Sequence, residues 1–192
     1  MTFHKHLQTL DKRGQKSWHA IRNAFVDLVL SKRYDEIKVN EIITKSGVAR
    51  STFYEHFKNK DSILAQSLYL PLSRLANAIH DNTPLTQIED ILQHFWENRS
   101  FCRIILNGPP RRSVIMALTE LLETQIKIKQ QETMAELIIS ARHAATQIAE
   151  SQVALMNIWL LGEAKSSVEN LALALKKTTN NLFDALKKTN HQ

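Results

Sequence analysis

From Arg111 to Leu161 the chain contains neither Gly nor Pro, and the whole sequence holds only four of each. So few breakers leave little room for hairpins, and alternating β-branched runs are scarce, so the chain reads as nearly all helix. A single rod over Arg111–Leu161 is longer than a globular domain uses. A break is therefore expected between Glu132 and Thr146. The length of 192 residues suits one or two domains. No apolar run approaches the ~18 residues of a membrane span. Met1 to Lys16 is polar and lacks the apolar core of a secretory signal. The single cysteine, Cys102, excludes an intramolecular disulfide framework and fits a reducing cytoplasm. Its apolar flanks, Phe101 and Ile104, favour a packed thiol over a redox sensor.

The net charge of +6 is unevenly spread. Residues 1–60 carry twelve Lys and Arg against six Asp and Glu, and residues 61–192 carry thirteen of each. The whole excess sits at the N-terminal end, which suggests a phosphate-binding head on a body that binds something else.

Helical spacing gives the elements. Residues 1–10 read as a frayed end. A first helix is expected over Asp11–Ser31, with Trp18, Ile21, Phe25, Leu28 and Val29 on one stripe. A short second helix carries Ile42 and Ile43 inward and ends at Ser46-Gly47. A third covers Arg50–Phe57. A fourth opens at Asn59-Lys60-Asp61, and Pro71 should kink or break it near Tyr69–Leu70. Thr83 is placed as an N-cap with Pro84 in the first turn of a fifth helix. A short helix covers Arg99–Leu106, another Thr146–Leu161 with Gly162 as C-cap, and a last one Ser166–Lys187.

The stretch Gly47 to Lys60 carries the chemistry. Gly47 allows a tight turn, and Val48, Phe53 and Phe57 offer apolar anchors. Arg50, Ser51, Thr52, Tyr54, His56 and Lys60 remain as a polar set able to face a nucleic acid. A helix in the major groove needs short donors and acceptors near its start and cations for phosphates. Arg50 suits either a bidentate guanine contact or a phosphate. Tyr54 suits a phosphate, a thymine methyl or a half-buried core position. Lys60 stands beside a helix N-terminus, a ready phosphate site.

Gly47-Val48, Thr52-Phe53-Tyr54, His56-Phe57, Lys60-Asp61 and Leu64 closely resemble the signature of the tetracycline-repressor (TetR/AcrR) family. The likeness extends more weakly over residues 11–70, and Trp159-Leu160-Leu161-Gly162-Glu163 is similar to the family's penultimate-helix ending. The resemblance implies an all-α fold of about nine helices. A three-helix helix-turn-helix DNA-binding domain, residues 1–60, would precede an effector-binding and dimerisation domain, residues 61–192. It further implies a cytoplasmic homodimer on a palindromic operator, with His56 and Lys60 holding the DNA backbone. Effector binding in the body would change the spacing of the two heads. Ala49 departs from the family, where Ser or Thr commonly caps the third helix; Ser51 is a substitute cap that would shorten it.

Phe95, Trp96, Met116, Met156 and Trp159 are candidates to line an apolar ligand pocket, with Arg103 as a polar guide. Each fits simple core packing equally well. No histidine spacing suggests a metal, and no motif calls for a cofactor. A Gly-rich phosphate loop, a nucleophile elbow and a carboxylate pair are all missing, so the chain reads as a regulator and not an enzyme. The expected function is a repressor released by a small molecule. The alternative is a regulator without a pocket, whose body binds a protein partner or activates transcription.

Overall fold

The structure, a computed structural model, describes residues 11–188. Residues 1–10 with His4 and His6, and His191, lie outside the described residues. Asp11 starts the first helix because its Oδ1 accepts the Gly14 N–H at 2.7 Å, satisfying a donor that the helix itself cannot. Helix α1 spans Lys12–Ser31 and is followed by a 3-10 turn at Tyr34–Glu36. Then come α2 (Val39–Ser46) and α3 (Arg50–His56). Gly47 ends α2 at φ +68°, a conformation that L side chains avoid. Its N–H reaches the carbonyls of Ile43 and Thr44 at 3.1 and 3.3 Å.

Helix α4 (Lys60–Ala76) opens on a reciprocal cap between Asn59 and Ser62. It runs on through Pro71, so the break that was one of the two expected outcomes is absent. Pro71 is buried inside a continuous helix, where tertiary packing overrides local cost. The carbonyl of Ser67 simply receives no N–H from position 71. Thr83 is not an N-cap either: its hydroxyl donates inward to the Asn77 carbonyl at 2.6 Å, and Pro84 takes the cap position.

Five helices complete the body: α5 (Leu85–Glu97), α6 (Arg99–Asn107), α7 (Arg111–Thr133), α8 (Ala141–Leu161) and α9 (Val168–Ala185). The rod breaks inside the expected window. Met134 takes φ +52°, the one non-glycine at positive φ among the described residues. Ser140 then caps α8, which begins earlier than expected. The linker is fastened to the end of α9 by Ile138 N–H to Leu186 O at 2.9 Å and Lys188 N–H to Glu136 O at 2.8 Å. Gly162 caps α8 at φ +81°, as expected. Among the described residues there are nine α-helices and no strand beyond one isolated bridge. No helix among them is long and apolar enough to cross a membrane.

One core runs through the head and the body. Trp18, Ile21, Phe25, Ile42, Phe53 and Phe57 are buried in the head, and Ile63 and Leu64 of α4 join them. Further along α4, Leu72 and Leu75 are buried with Leu118, Leu122, Ile148 and Val153 of α7 and α8. A buried polar knot sits within the body. The Lys129 ammonium donates to Ile79 O at 2.6 Å and Asn180 Oδ1 at 2.7 Å, 5.2 Å from the Phe183 ring. Lys129→Ala would leave the Ile79 carbonyl and the Asn180 side chain short of a partner in the interior. Urea denaturation should show a loss of about 2–3 kcal/mol, with an unchanged slope against urea.

Candidate nucleic-acid interface

The helical period sorts α3 into two faces. Phe53, His56 and Phe57 fall on one side and are buried. Arg50, Ser51, Tyr54 and Glu55 fall on the other and are exposed, with Thr52 half-buried at the edge. This separation explains why Phe53 and Phe57 can anchor the helix, their rings 6.1 Å apart, while Trp18 of α1 closes on Phe57 at 6.3 Å. The uncapped start at Ala49 is tolerated: α3 still begins at Arg50, and Ser51 takes no capping role.

Arg50 and Tyr54 stand one turn apart and act as a pair. The guanidinium carbon of Arg50 lies 5.5 Å above the Tyr54 ring, within cation–π range. Arg50 Nη1 also donates to Asn40 Oδ1 of α2 at 2.9 Å. Tyr54 is 48% exposed, and its ring leans edge-on against Phe53 at 5.3 Å. A surface depression beside this face is lined by Asp11, the cap of α1, and Arg13, Gly14 and Ser17 of α1, with Thr52, Glu55 and His56 of α3. Glu55 was not among the expected residues; its carboxylate can accept from a cytosine amino group.

Two residues expected to hold the DNA backbone turn inward in the structure. His56 is 8% exposed, because it shares the inward face with Phe53 and Phe57, so it leaves the outward polar set. Lys60 turns back into the protein. Its ammonium donates to the carbonyls of Tyr34, Asp35 and Ile37 at 2.6, 3.3 and 3.2 Å and lies 4.6 Å from the Tyr34 ring. In the structure its three N–H donors are met by three carbonyls. Beside it, the Tyr34 hydroxyl donates to Asp61 Oδ1 at 2.6 Å. Burial, then the Asp61 carboxylate, raises the Tyr34 phenol well above its ordinary range.

The six candidate pocket residues do not converge. Phe95 and Met156 line an enclosed apolar void with Leu68, Leu72 and Cys102, with about 10 Å³ of space, near the least that a water needs. Trp96 and Trp159 stack at 4.8 Å beside a separate surface groove along residues 162–168. Arg103 spends its Nε on the Leu160 carbonyl at 2.5 Å, and Met116 is 45% exposed elsewhere. Cys102 is packed in the core, and burial pushes its thiol up to about 12. Among the described residues no cluster of His, Cys, Asp or Glu could hold a metal.

A basic, three-helix head with one outward polar helix face, joined to an all-helical body, defines a helix-turn-helix DNA-binding regulator. The comparisons specify the family. Residues 26–66 match the model of bacterial regulatory proteins of the tetR family, and residues 82–181 match a transcriptional regulator C-terminal region. The chain belongs to the TetR family of transcriptional regulators. It is 36% identical over 56 residues to the helix-turn-helix-type transcriptional regulator YxbF of Bacillus subtilis, a stretch covering 29% of this chain and 15% of YxbF. It is 29% identical over 85 residues to the dhaKLM operon transcriptional activator DhaS of Lactococcus lactis, covering 42% of this chain and 44% of DhaS. The chain thus spans less than half the length of these curated relatives. A TetR transcriptional regulator of Streptococcus agalactiae superposes with a TM-score of 0.59 at 25% identity, over 88% of this chain and 96% of that one.

If Lys60 is a structural clamp, Lys60→Ala should lower the midpoint of thermal unfolding, a loss of about 1–2 kcal/mol for uncapped carbonyls at a partly wet site. The slope of log K against log salt for any DNA binding should stay put, whereas a lost phosphate contact would lower it by about 1.

Proposed function

We propose that this chain is a cytoplasmic, homodimeric, operator-binding regulator whose α3 enters the major groove. Residues 1–60 serve as the DNA-binding part and residues 61–192 as the effector-binding and dimerisation part. The observation that carries the reading is the outward polar face of α3, with Arg50, Ser51, Tyr54 and Thr52 presented over a firmly buried Phe53 and Phe57. Arg50 and Tyr54 take base edges and phosphates, Ser51 and Thr52 add short polar contacts, and Arg13 and Ser17 of α1 flank the phosphate backbone. His56 supports the helix from inside and Lys60 fixes its approach.

The dimer reading rests on the outer face of α8 and α9. Ile158 and Leu161, three residues apart on α8, and Leu173 of α9 are 45, 37 and 39% exposed, apolar surface that a two-fold contact of these helices would cover. A two-fold dimer places two α3 helices on symmetric half-sites, hence a palindromic operator. Release by a small molecule is the favoured mode of control. The void behind Phe95 and Met156 is wholly apolar, so an effector entering it is apolar and must wedge the helices apart. It can release DNA only by its differential affinity for the two head spacings.

One observation favours a second reading. The void is nearly closed, about 10 Å³, and the expected pocket residues are scattered. On that reading the body has no small-molecule cavity, and it docks a protein or activates transcription. A thermal-shift screen with apolar compounds separates the two. A ligand at 100 times its Kd adds about 2.7 kcal/mol to the native state, and a solid body gains nothing.

Selection from randomised duplex DNA tests the head. The wild-type chain should recover a palindrome, and Tyr54→Ala should weaken binding to it about tenfold or more without lowering thermal stability. Recovery of only sequence-independent, salt-sensitive binding would sink the operator reading. Ile158→Glu should convert the dimer to monomer in sedimentation equilibrium while leaving the helical circular dichroism intact. An unchanged dimer would move the interface elsewhere.

A further inference from the structure

The hydrogen bond between Asn40 and Arg50 crosses from α2 to α3 on the outer surface of the head. Asn40 is the second residue of α2 and Arg50 the first of α3. Both residues are exposed. An exposed arginine ordinarily samples many rotamers, and fixing one is costly in entropy. Here two groups on two different helices grip the same guanidinium. Asn40 Oδ1 takes Nη1 at 2.9 Å, and the Tyr54 ring lies under the guanidinium carbon at 5.5 Å. The ring and the amide thus hold the guanidinium from two sides. Tyr54 is itself steadied edge-on against the buried Phe53 at 5.3 Å, so the grip is referred back to the core.

We infer that Asn40 is a positioning residue for base reading: it orients Arg50 for a bidentate contact with guanine in each half-site. This rests on the reading that α3 enters the major groove. The stoichiometry allows it. A guanidinium has five N–H donors in a fixed fork, and Asn40 takes one. The remaining donors still offer a parallel pair for O6 and N7 of guanine, the pattern that distinguishes guanine from other bases. Orientation before contact also separates this role from a phosphate contact, which tolerates a swinging side chain and carries no base preference. Asn40 touches no base in this scheme; it acts through Arg50.

The test is selection from randomised duplex DNA with the full chain, comparing wild type with Arg50→Ala, Asn40→Ala, Asn40→Asp and the double alanine variant. Each protein's thermal midpoint is measured alongside. Arg50→Ala should flatten one guanine column of the half-site by about tenfold or more. Asn40→Ala should flatten that same column by a smaller factor, about threefold to tenfold. The double variant should be no flatter than Arg50→Ala alone, because Asn40 has no effect once Arg50 is gone. Asn40→Asp retains the acceptor and should keep the guanine preference even where overall affinity falls. The inference is overturned if Asn40→Ala flattens a different column, weakens all sequences equally, or adds to Arg50→Ala. It is equally overturned if Arg50→Ala leaves every guanine column intact. Failure of the wild type to select any sequence would instead remove the operator reading itself, and its thermal midpoint would show that the chain was folded.

Discussion

The first turns of α4 hold everything that α3 presents. Tyr34 is tied to Asp61, Lys60 caps the carbonyls of residues that lead into α2, and Gln66 clasps two elements at once. The Gln66 amide oxygen accepts from the Trp18 indole at 3.1 Å, and its nitrogen donates to the His56 carbonyl at 3.1 Å. One helix thereby pins α1, the end of α3 and the turn before α2. Magnitudes divide the labour. Burying Phe53, Phe57, Ile63 and Leu64 supplies about 1.5–3 kcal/mol each and dominates the cohesion of the head. The hydrogen bonds add less, about 0.5–1.5 kcal/mol for a neutral pair, but they are directional and so set the angle of α3. Surface pairs such as Lys45 with Asp27, 3.3 Å apart with both side chains well exposed, contribute about 0–1 kcal/mol and decide neither.

The parts of this architecture that depend on local chemistry were legible in the sequence. Asp11, Gly47 and Gly162 declare helix ends because caps and left-handed turns involve only a few neighbouring residues. The division of α3 into anchors and polar face was mostly legible, since it follows the helical period. His56 went wrong by that same rule applied too loosely: position 56 shares the inward side with 53 and 57, and polarity alone does not place a residue outside. The inward turn of Lys60 was not legible for another reason. Its partners are more than twenty residues earlier in the chain, and no spacing within α4 announces them. Asn40 and Glu55 escaped notice because an exposed amide or carboxylate has no pattern until its partner is placed.

The body shows the same limit more sharply. Aromatic and Met residues at helical spacing give no sign of which helix they face. Phe95 and Met156 meet in the interior, whereas Trp96 and Trp159 meet at a rim. Arg103 is occupied by the last turn of α8, whose final carbonyls lack helical partners. That bond joins α6 to α8 directly, and α6 also packs against α1 of the head. A displacement of α8 therefore has a short material route to the head through α6, besides the longer one along α4.

The proline in α4 gives that longer route an uneven stiffness. Ile63 and Leu64 belong to the head's core, Leu72 and Leu75 to the body's, and the carbonyl of Ser67 between them lacks its main-chain tie. Helices yield where the ladder is interrupted. The beam connecting the two halves thus carries a flexure at a fixed position along its length. Bending there meets one main-chain hydrogen bond fewer than bending elsewhere in α4. The main chain of α4 is thus least tied at one place, between the residues it buries in the head and those it buries in the body.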